Sequence, residues 1–272
     1  MERTENRKNI ERKMKNKILY ILILTLFLNC KREKTKIIKE KKIEQIFAEN
    51  DYGMFGKINL KIYSDSSYTC VRYETSPNYE KTEKFNGIFK IINDTINFFP
   101  SDFKPNYSTK AVIKNNFVEL VDGEFPLKIE IKRNKLKPKN SLKFDEIKDY
   151  AIFTFDEKFY SNIYYGYKPK TIKAYDLKQN ELEELDKILK KCFAENNTKL
   201  KVINNYVKQC IVVINQKQEI EVWVSCYCKN KYEKDNYKYS IIQMNDGGNC
   251  NVNLKVNLTK HNYSELNISG SA

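Results

Sequence analysis

Residues 58–132 show a repeated alternation of apolar and polar positions, interrupted at short intervals by turn-forming pairs. Asn93-Asp94 and Asn115-Asn116 are pairs that favour tight hairpin turns. The apolar positions predict short strands at Ile58–Ile62, Tyr68–Tyr73, Ile88–Ile92, Thr95–Phe99, Lys110–Lys114, Phe117–Val121 and Leu127–Ile131. Short strands joined by such turns predict an antiparallel β-meander or partial barrel over residues 51–140.

The periodicity becomes helical near residue 180. Apolar residues recur there at steps of three and four: Leu182, Leu185, Ile188, Leu189 and Cys192. Asp176 is the predicted N-cap, because its carboxylate can accept a hydrogen bond from an N–H of the first turn. Acidic residues come first on the other face and basic residues last, as the helix dipole prefers.

Strands are predicted again on both sides of this helix. They are Ala151–Phe155, Cys210–Ile214, Ile220–Cys228, Tyr237–Met244 and Cys250–Leu258. Asn245–Asn249 contains two glycines, which accept the positive φ of a hairpin turn. The predicted fold class is therefore α+β, mostly antiparallel β: an N-terminal β-meander followed by a helix packed on a four-stranded antiparallel sheet. This second part covers residues 141–272.

The N-terminus carries a different pattern. Lys15 and Lys17 precede an apolar run, Ile18–Leu28, and then Asn29-Cys30. Eleven helical residues reach about 16 Å, too short for a hydrocarbon core of roughly 30 Å. The segment resembles bacterial lipoprotein signals, in which the final cysteine receives lipid and becomes the new N-terminus. Residues 1–30 are therefore predicted to be a lipoprotein signal with lipidation at Cys30, and Met14 is an alternative start.

Most of the net positive charge lies near this N-terminal segment. The net charge is +14, but residues 44–272 carry only +5 of it. The basic run in residues 31–50 is predicted to be a tether that lies on anionic head groups. We expect the membrane as a partner, through the N-terminal lipid, and no nucleic acid.

Six cysteines remain after Cys30, an even number that fits an exported protein with disulfides. The disulfide candidates are Cys192, Cys210, Cys226, Cys228 and Cys250. Six cysteines allow 15 pairings, of which a bridge from Cys192 to Cys226 or Cys228 is the preferred one. A metal cluster of these sulfurs is the alternative to structural cysteines, and Cys70 is expected to be free.

The remaining residues offer no chemistry of their own. His261 is the only histidine, which excludes any site that needs two. The sequence contains no glycine-rich phosphate-binding motif, no G-x-S-x-G motif of serine hydrolases and no H-E-x-x-H motif of zinc proteases. We therefore predict no catalytic, cofactor-binding or metal-binding residue. The tyrosines at 160, 164, 165 and 167 either pack in the core or line a groove for sugar or peptide.

The C-terminal part contains the segment WVSCYC and the later segment MNDGGNC. Through these segments it resembles a family of uncharacterised lipoproteins from Bacteroidetes, in particular flavobacteria, and the resemblance implies no reaction. In that phylum, acidic residues after the lipidated cysteine resemble surface-export signals, whereas Lys31-Arg32 stand here. The predicted location is the cell envelope, at the periplasmic face of the outer membrane.

The function expected from these features is binding of an envelope component, a protein or a glycan, without catalysis. Lipid confinement would raise the effective concentration of the protein near membrane-bound partners. The alternatives are a periplasmic hydrolase that uses carboxylates and an inhibitor or immunity lipoprotein.

Overall fold

The structure, a computed structural model, describes residues 42–100, 106–145, 147–160, 171–229 and 235–270. The chain divides into two units, residues 1–40 and residues 41–272, and every described residue lies in the second unit. Cys30 and the predicted signal lie outside the described residues. Within the described part, no helix is both long enough and apolar enough to cross a membrane.

Eight antiparallel strands in the first part of this unit close into a barrel. They are β1 (Glu44–Asp51), β2 (Gly56–Tyr63), β3 (Ser67–Ser76), β4 (Tyr79–Ile92), β5 (Thr95–Phe99), β6 (Lys110–Lys114), β7 (Phe117–Val121) and β8 (Leu127–Asn134). Each strand pairs with its neighbour in sequence, and β1 pairs with β8, where Ala48 lies opposite Ile131. The expected meander is therefore a complete barrel.

The alternating pattern located most of these strands correctly. The predicted bounds of β5, β6 and β7 are confirmed to the residue. The turn pairs Asn93-Asp94 and Asn115-Asn116 have φ values between 49° and 65°. Positive φ at both central residues is what a type I′ hairpin turn requires, so these turns are confirmed.

The predicted tether at residues 31–50 is wrong at its C-terminal end, because Glu44–Asp51 is strand β1. Ile46, Ala48 and Asn50 alternate as buried positions inside the barrel. Asn50 completes the seam with β8, since its Nδ2 donates to Lys128 O at 2.7 Å and its Oδ1 accepts from Glu130 N at 2.9 Å. Because Asn50 is polar although it is buried inside the barrel, the sequence of β1 does not show a clear alternation of apolar and polar residues.

The second part of the unit is a six-stranded sheet with one long helix. Its elements are β9 (Tyr150–Thr154), α1 (Glu157–Tyr160), β10 (Lys173–Ala174), α2 (Gln179–Glu195), β11 (Tyr206–Ile214), β12 (Ile220–Cys228), β13 (Asn251–Asn257) and β14 (Asn262–Ile268). The order is β10-β11-β12-β13-β14, and β9 pairs with β11 in parallel. The α+β class, mostly antiparallel, is confirmed, whereas the four-stranded antiparallel layout is wrong.

Residues 237–244 are the main error in that layout. They do not form a strand but a short 3-10 turn at Asn236–Lys238 followed by irregular chain. Both edges of β12 are already occupied, by β11 and β13, so the segment has no edge of β12 to pair with. Gly247 and Gly248 do adopt positive φ, but they lead into β13 rather than joining two paired strands.

Helix α2 buries the predicted apolar face, from Leu182 to Cys192, against the sheet. Its start differs from the prediction, because the N-cap is Lys178, whose N–H donates to Glu181 Oε2 at 2.8 Å. Asp176 instead forms ion pairs with Lys114 of barrel strand β6, at 2.5 Å, and with Lys139, in the segment after β8, at 3.3 Å. Asp176, the predicted N-cap, therefore connects the segment before α2 with the barrel through an ion pair.

Candidate functional site

The two faces of the sheet carry different residues, because side chains alternate along each strand. The face toward α2 is apolar and includes Cys210, Val224 and Leu254. On the opposite face, Gln209 of β11 lies in register with Ser225 of β12, and Ser225 with Asn253 of β13. We call Gln209, Ser225 and Asn253 the polar row.

Hydrogen bonds join Ser225 to Asn253 within the polar row and join the row to its surroundings. Ser225 Oγ donates to Asn253 Oδ1 at 2.7 Å, and Asn253 Nδ2 donates to Asn251 Oδ1 at 3.1 Å. Gln209 is 2% exposed, so its amide needs partners within the protein. These bonds fix the orientation of the side chains of Ser225 and Asn253.

Residues 240–246, which we call the covering segment, lie across this face and are held by side chains from the sheet. Gln209 Nε2 donates to Ser240 O at 2.7 Å, and Gln209 Oε1 accepts from Ile242 N at 2.9 Å. Asn251 Nδ2 donates to Met244 O at 2.7 Å and to Asp246 O at 2.9 Å. The covering segment is thus fastened near both ends by buried amides.

A cavity of about 410 Å³ lies between the polar row and the covering segment. Amide, hydroxyl, aromatic and aliphatic groups line it, contributed by the polar row and by Tyr160, Ile211, Tyr227, Ile241, Ile242, Gln243, Met244 and Asn245. Among the residues that the structure describes, no Asp, Glu, Lys, Arg or His lines this cavity. Its recognition chemistry is therefore uncharged hydrogen bonding combined with apolar contact.

Aromatic packing makes one wall of the cavity rigid. The Tyr160 ring stacks on Phe155, with 5.8 Å between centroids, and meets the edge of Phe159 at 4.9 Å. Trp223 contacts both Phe155 and Tyr160. Tyr160 therefore packs in the core and also lines the cavity, so both roles considered for the tyrosine-rich stretch apply to this residue. The tyrosines at 164, 165 and 167 lie outside the described residues.

The disulfide lies away from this cavity. Cys228 bonds to Cys250, with the two Cα atoms 4.7 Å apart, so the expected bridge from Cys192 is wrong. The turn at Gly248–Cys250 brings Cys250 to the end of β12, whereas Cys192 remains on the buried face of α2. Lys201 Nζ lies 3.2 Å from Cys228 Sγ and 3.1 Å from Cys250 Sγ.

The other described cysteines are buried thiols: Cys70, Cys192, Cys210 and Cys226. Burial raises the pKa of Cys192 to about 11 and that of Cys210 to about 12, so both stay protonated. Within the described residues, no group of three or more His, Cys, Asp or Glu side chains is arranged to hold a metal ion. Cys192, Cys210 and Cys226 therefore pack as small apolar groups between α2 and the sheet.

His261 takes no part in the candidate site. It lies in the exposed turn between β13 and β14, and its Nδ1 is 3.1 Å from Glu184 Oε1 of α2. Cys70 lies in the barrel core. The polar row could not be predicted from the sequence, because Gln209, Ser225 and Asn253 are far apart in sequence and meet only through strand register.

The chain matches no protein-family model, no curated protein and no solved structure. The resemblance to flavobacterial lipoproteins therefore stays a prediction, and the candidate site rests on its geometry.

Proposed function

We propose that this protein is a lipid-anchored envelope protein that binds a neutral glycan in the cavity between the polar row and the covering segment. The observation that carries the proposal is the uncharged lining of that cavity, in which amides and a hydroxyl face aromatic and aliphatic groups. A volume of about 410 Å³ is within the range typical of small-ligand pockets, roughly 300–1,000 Å³.

Sugar hydroxyls both donate and accept hydrogen bonds, and the C–H faces of a sugar ring are apolar. Amide side chains can do both as well, and Gln243 and Asn245 have no side-chain hydrogen bond to any other described residue. Met244 and Tyr227 offer apolar surface beside them. Two exposed amide side chains that no described residue engages, next to apolar surface, suit a sugar better than an ion.

Binding without hydrolysis is proposed because glycoside hydrolysis usually needs two carboxylic acid side chains beside the scissile bond. The described lining of this cavity contributes none. Lipid attached at Cys30 would confine the binding site to the envelope surface, where a glycan of the envelope is present at high effective concentration.

The binding test uses the full chain in a detergent that is not a glycoside. Neutral oligosaccharides, including chitooligosaccharides, are compared with anionic oligogalacturonate by isothermal titration calorimetry. We expect binding of a neutral sugar, weakened about tenfold or more in Gln243→Ala/Asn245→Ala. Asn78→Ala, an exposed amide in the barrel, is the matched control and should bind as the wild type does. Equal binding by the double variant, or a preference for the anionic sugar, would contradict the proposal.

The anchor is tested separately by metabolic labelling with a palmitate analogue. We expect label on the wild-type protein and, for Cys30→Ala, loss of label together with release from membranes. Unchanged labelling of Cys30→Ala would remove the envelope part of the proposal and leave the glycan site untouched.

A further inference from the structure

A second cavity, of about 390 Å³, lies where the barrel meets the sheet. The barrel contributes Asn115, Phe117 and Lys128 to its lining, and the segment around β9 contributes Phe144 and Tyr150. None of these residues lines the cavity beneath the covering segment, so the two sites are separate.

Lys128 is the unusual residue of this second cavity. It is 2% exposed, and its Nζ donates to Ile152 O at 2.9 Å. The Nζ lies 4.4 Å from the ring centres of both Phe117 and Phe153. Within the described part of the chain, no carboxylate lies within ion-pair distance of it. An ammonium has three donors, and here one of them has a described acceptor.

Asn115 adds a second buried donor to the same cavity. The residue is 6% exposed, and its Oδ1 accepts a hydrogen bond from Leu142 N at 3.0 Å. Its Nδ2, by contrast, is buried and has no partner among the described residues. Buried polar groups are almost always hydrogen-bonded, and an unpaired one is costly. The unpaired groups of this cavity are therefore donors that lack an acceptor.

The two acidic residues in the lining are already engaged. Glu130 Oε2 is 2.7 Å from Lys132 Nζ, and Asp149 Oδ2 is 2.7 Å from Lys229 Nζ. Burial is the main cause that lowers the pKa of Lys128 to about 8, and Lys114 and Lys238 act in the same direction, whereas Glu119 and Cys210 oppose them. Burial thus outweighs the attraction of Glu119 and leaves the ammonium poorly solvated, so an anion placed beside it would stabilise the charged form.

We propose that this cavity binds a small organic carboxylate, whose oxygens accept hydrogen bonds from Lys128 Nζ and Asn115 Nδ2 while its apolar part packs against Phe117, Phe144 and Tyr150. A carboxylate has about four acceptor positions, enough for both residues at once. Charge-assisted hydrogen bonds in a buried site are among the strong ones. The proposal does not depend on the glycan site.

The test is calorimetric titration of the full chain in detergent at pH 7 with benzoate, phenylacetate and acetate. Benzamide and inorganic phosphate serve as comparison ligands, one neutral and one an anion without an apolar part. We expect benzoate or phenylacetate to bind at least about tenfold more tightly than benzamide and phosphate. Lack of binding by all three carboxylates at about 10 mM, or equal binding of benzamide, would overturn the proposal.

Two variants assign the binding to this cavity. Lys128→Met removes the ammonium and keeps an unbranched side chain, and Asn115→Asp keeps the acceptor for Leu142 N but places a negative charge beside the ligand. Each should weaken benzoate binding about tenfold or more. The matched controls are Lys135→Met, at an exposed position just after β8, and Asn93→Asp, because Asn93 and Asn115 share a φ of 49°. If Lys128→Met does not fold, Asn115→Asp alone decides, and unchanged affinity in it would overturn the proposal.

Discussion

The barrel and the six-stranded sheet differ in what covers their two faces. The inner face of the barrel is filled by apolar side chains such as Ile46, Leu60 and Ile96. The sheet has an apolar face beneath α2 and a second face on which the polar row lies beneath the covering segment. The same strand alternation therefore produces a packed core in one region and a cavity in the other.

This difference shows where a ligand can be accommodated. A barrel of eight strands has an interior about wide enough for its own side chains or for one small ligand, and here apolar side chains converge inside it. A sheet face covered by irregular chain is less tightly filled, because backbone and amide groups take the place of interlocking apolar side chains. Both proposed sites accordingly lie outside the barrel core, one on the sheet and one at the junction.

The largest expected effect comes from Leu60→Ala, which tests whether the two regions unfold together. Leu60 is fully buried in the barrel, so we expect a loss of about 3 kcal/mol in the free energy of unfolding from the cavity that is left. Trp223 is the only tryptophan and lies in the sheet, so its fluorescence reports the sheet, whereas far-UV circular dichroism reports both regions. Urea titration should shift both signals equally.

The reason for this expectation is the buried connection between the regions. Glu119 accepts hydrogen bonds from Thr154 N at 2.6 Å and Thr154 Oγ1 at 2.9 Å, and Lys128 donates to Ile152 O. Val202→Ala, at a position 68% exposed, is the control and should change stability by less than about 0.5 kcal/mol. A shift in dichroism without a shift in fluorescence would show that the regions unfold independently.

The junction itself is tested by Lys128→Met and pH. The pKa of Lys128 is lowered from 10.5 to about 8 by burial, so protonation opposes folding below pH 8. As pH rises from 8 to 10.5, the native state releases this proton before the unfolded state does. The stability of the wild type relative to Lys128→Met should therefore rise by up to about 3 kcal/mol over that range.

Urea unfolding at several pH values measures this difference directly. The subtraction removes the contributions of the titratable groups that do not interact with Lys128, because both proteins carry them. Lys132→Met, on the same strand but 42% exposed, should show no such trend. A difference between Lys128→Met and wild type that does not vary with pH would mean that Lys128 is not desolvated at the junction.

The smallest effect is expected from Asn251→Ala, which releases one end of the covering segment. Loss of the hydrogen bonds to Met244 O and Asp246 O should lower the free energy of unfolding by about 1–2 kcal/mol. Hydrogen exchange measured by mass spectrometry should rise in residues 240–246 and stay unchanged in the barrel. The control is Asn97→Ala, which removes a local hydrogen bond from the Asn97 side chain to Thr95 O in the barrel. Equal exchange in residues 240–246 of the two variants would show that Asn251 does not hold the segment.

Elements with strong local patterns were predictable from the sequence. The apolar face of α2, from Leu182 to Cys192, repeats at helical steps, and β5 to β7 are separated by turn residues that accept positive φ. By contrast, β1 was missed because it places Asn50 inside the barrel and follows a basic run. Residues 237–244 have strand-like composition, but they lie across the sheet because no edge of β12 is open to them.

The candidate site could be predicted from local sequence patterns even less well than the fold. Asn251 and Asn253 could be read as the polar face of a strand, but the burial of Asn251 and the place of Asn253 in the cavity lining could not. Nothing near Gln209 or Ser225 in sequence indicates that they meet Asn253. The pairing of Cys228 with Cys250 likewise depends on the turn that brings Cys250 to the end of β12.

The sequence by itself determined the α+β class, the helix face, the hairpin turns and the short apolar N-terminal run that precedes Asn29-Cys30. Each of these follows from interactions between residues a few positions apart. Only the tertiary structure decided the closure of the barrel, the polar row, the disulfide and the burial of Lys128 between the two regions. These depend on strand register and on contacts between distant residues, and one chain's local pattern carries no information about which distant residue will be opposite.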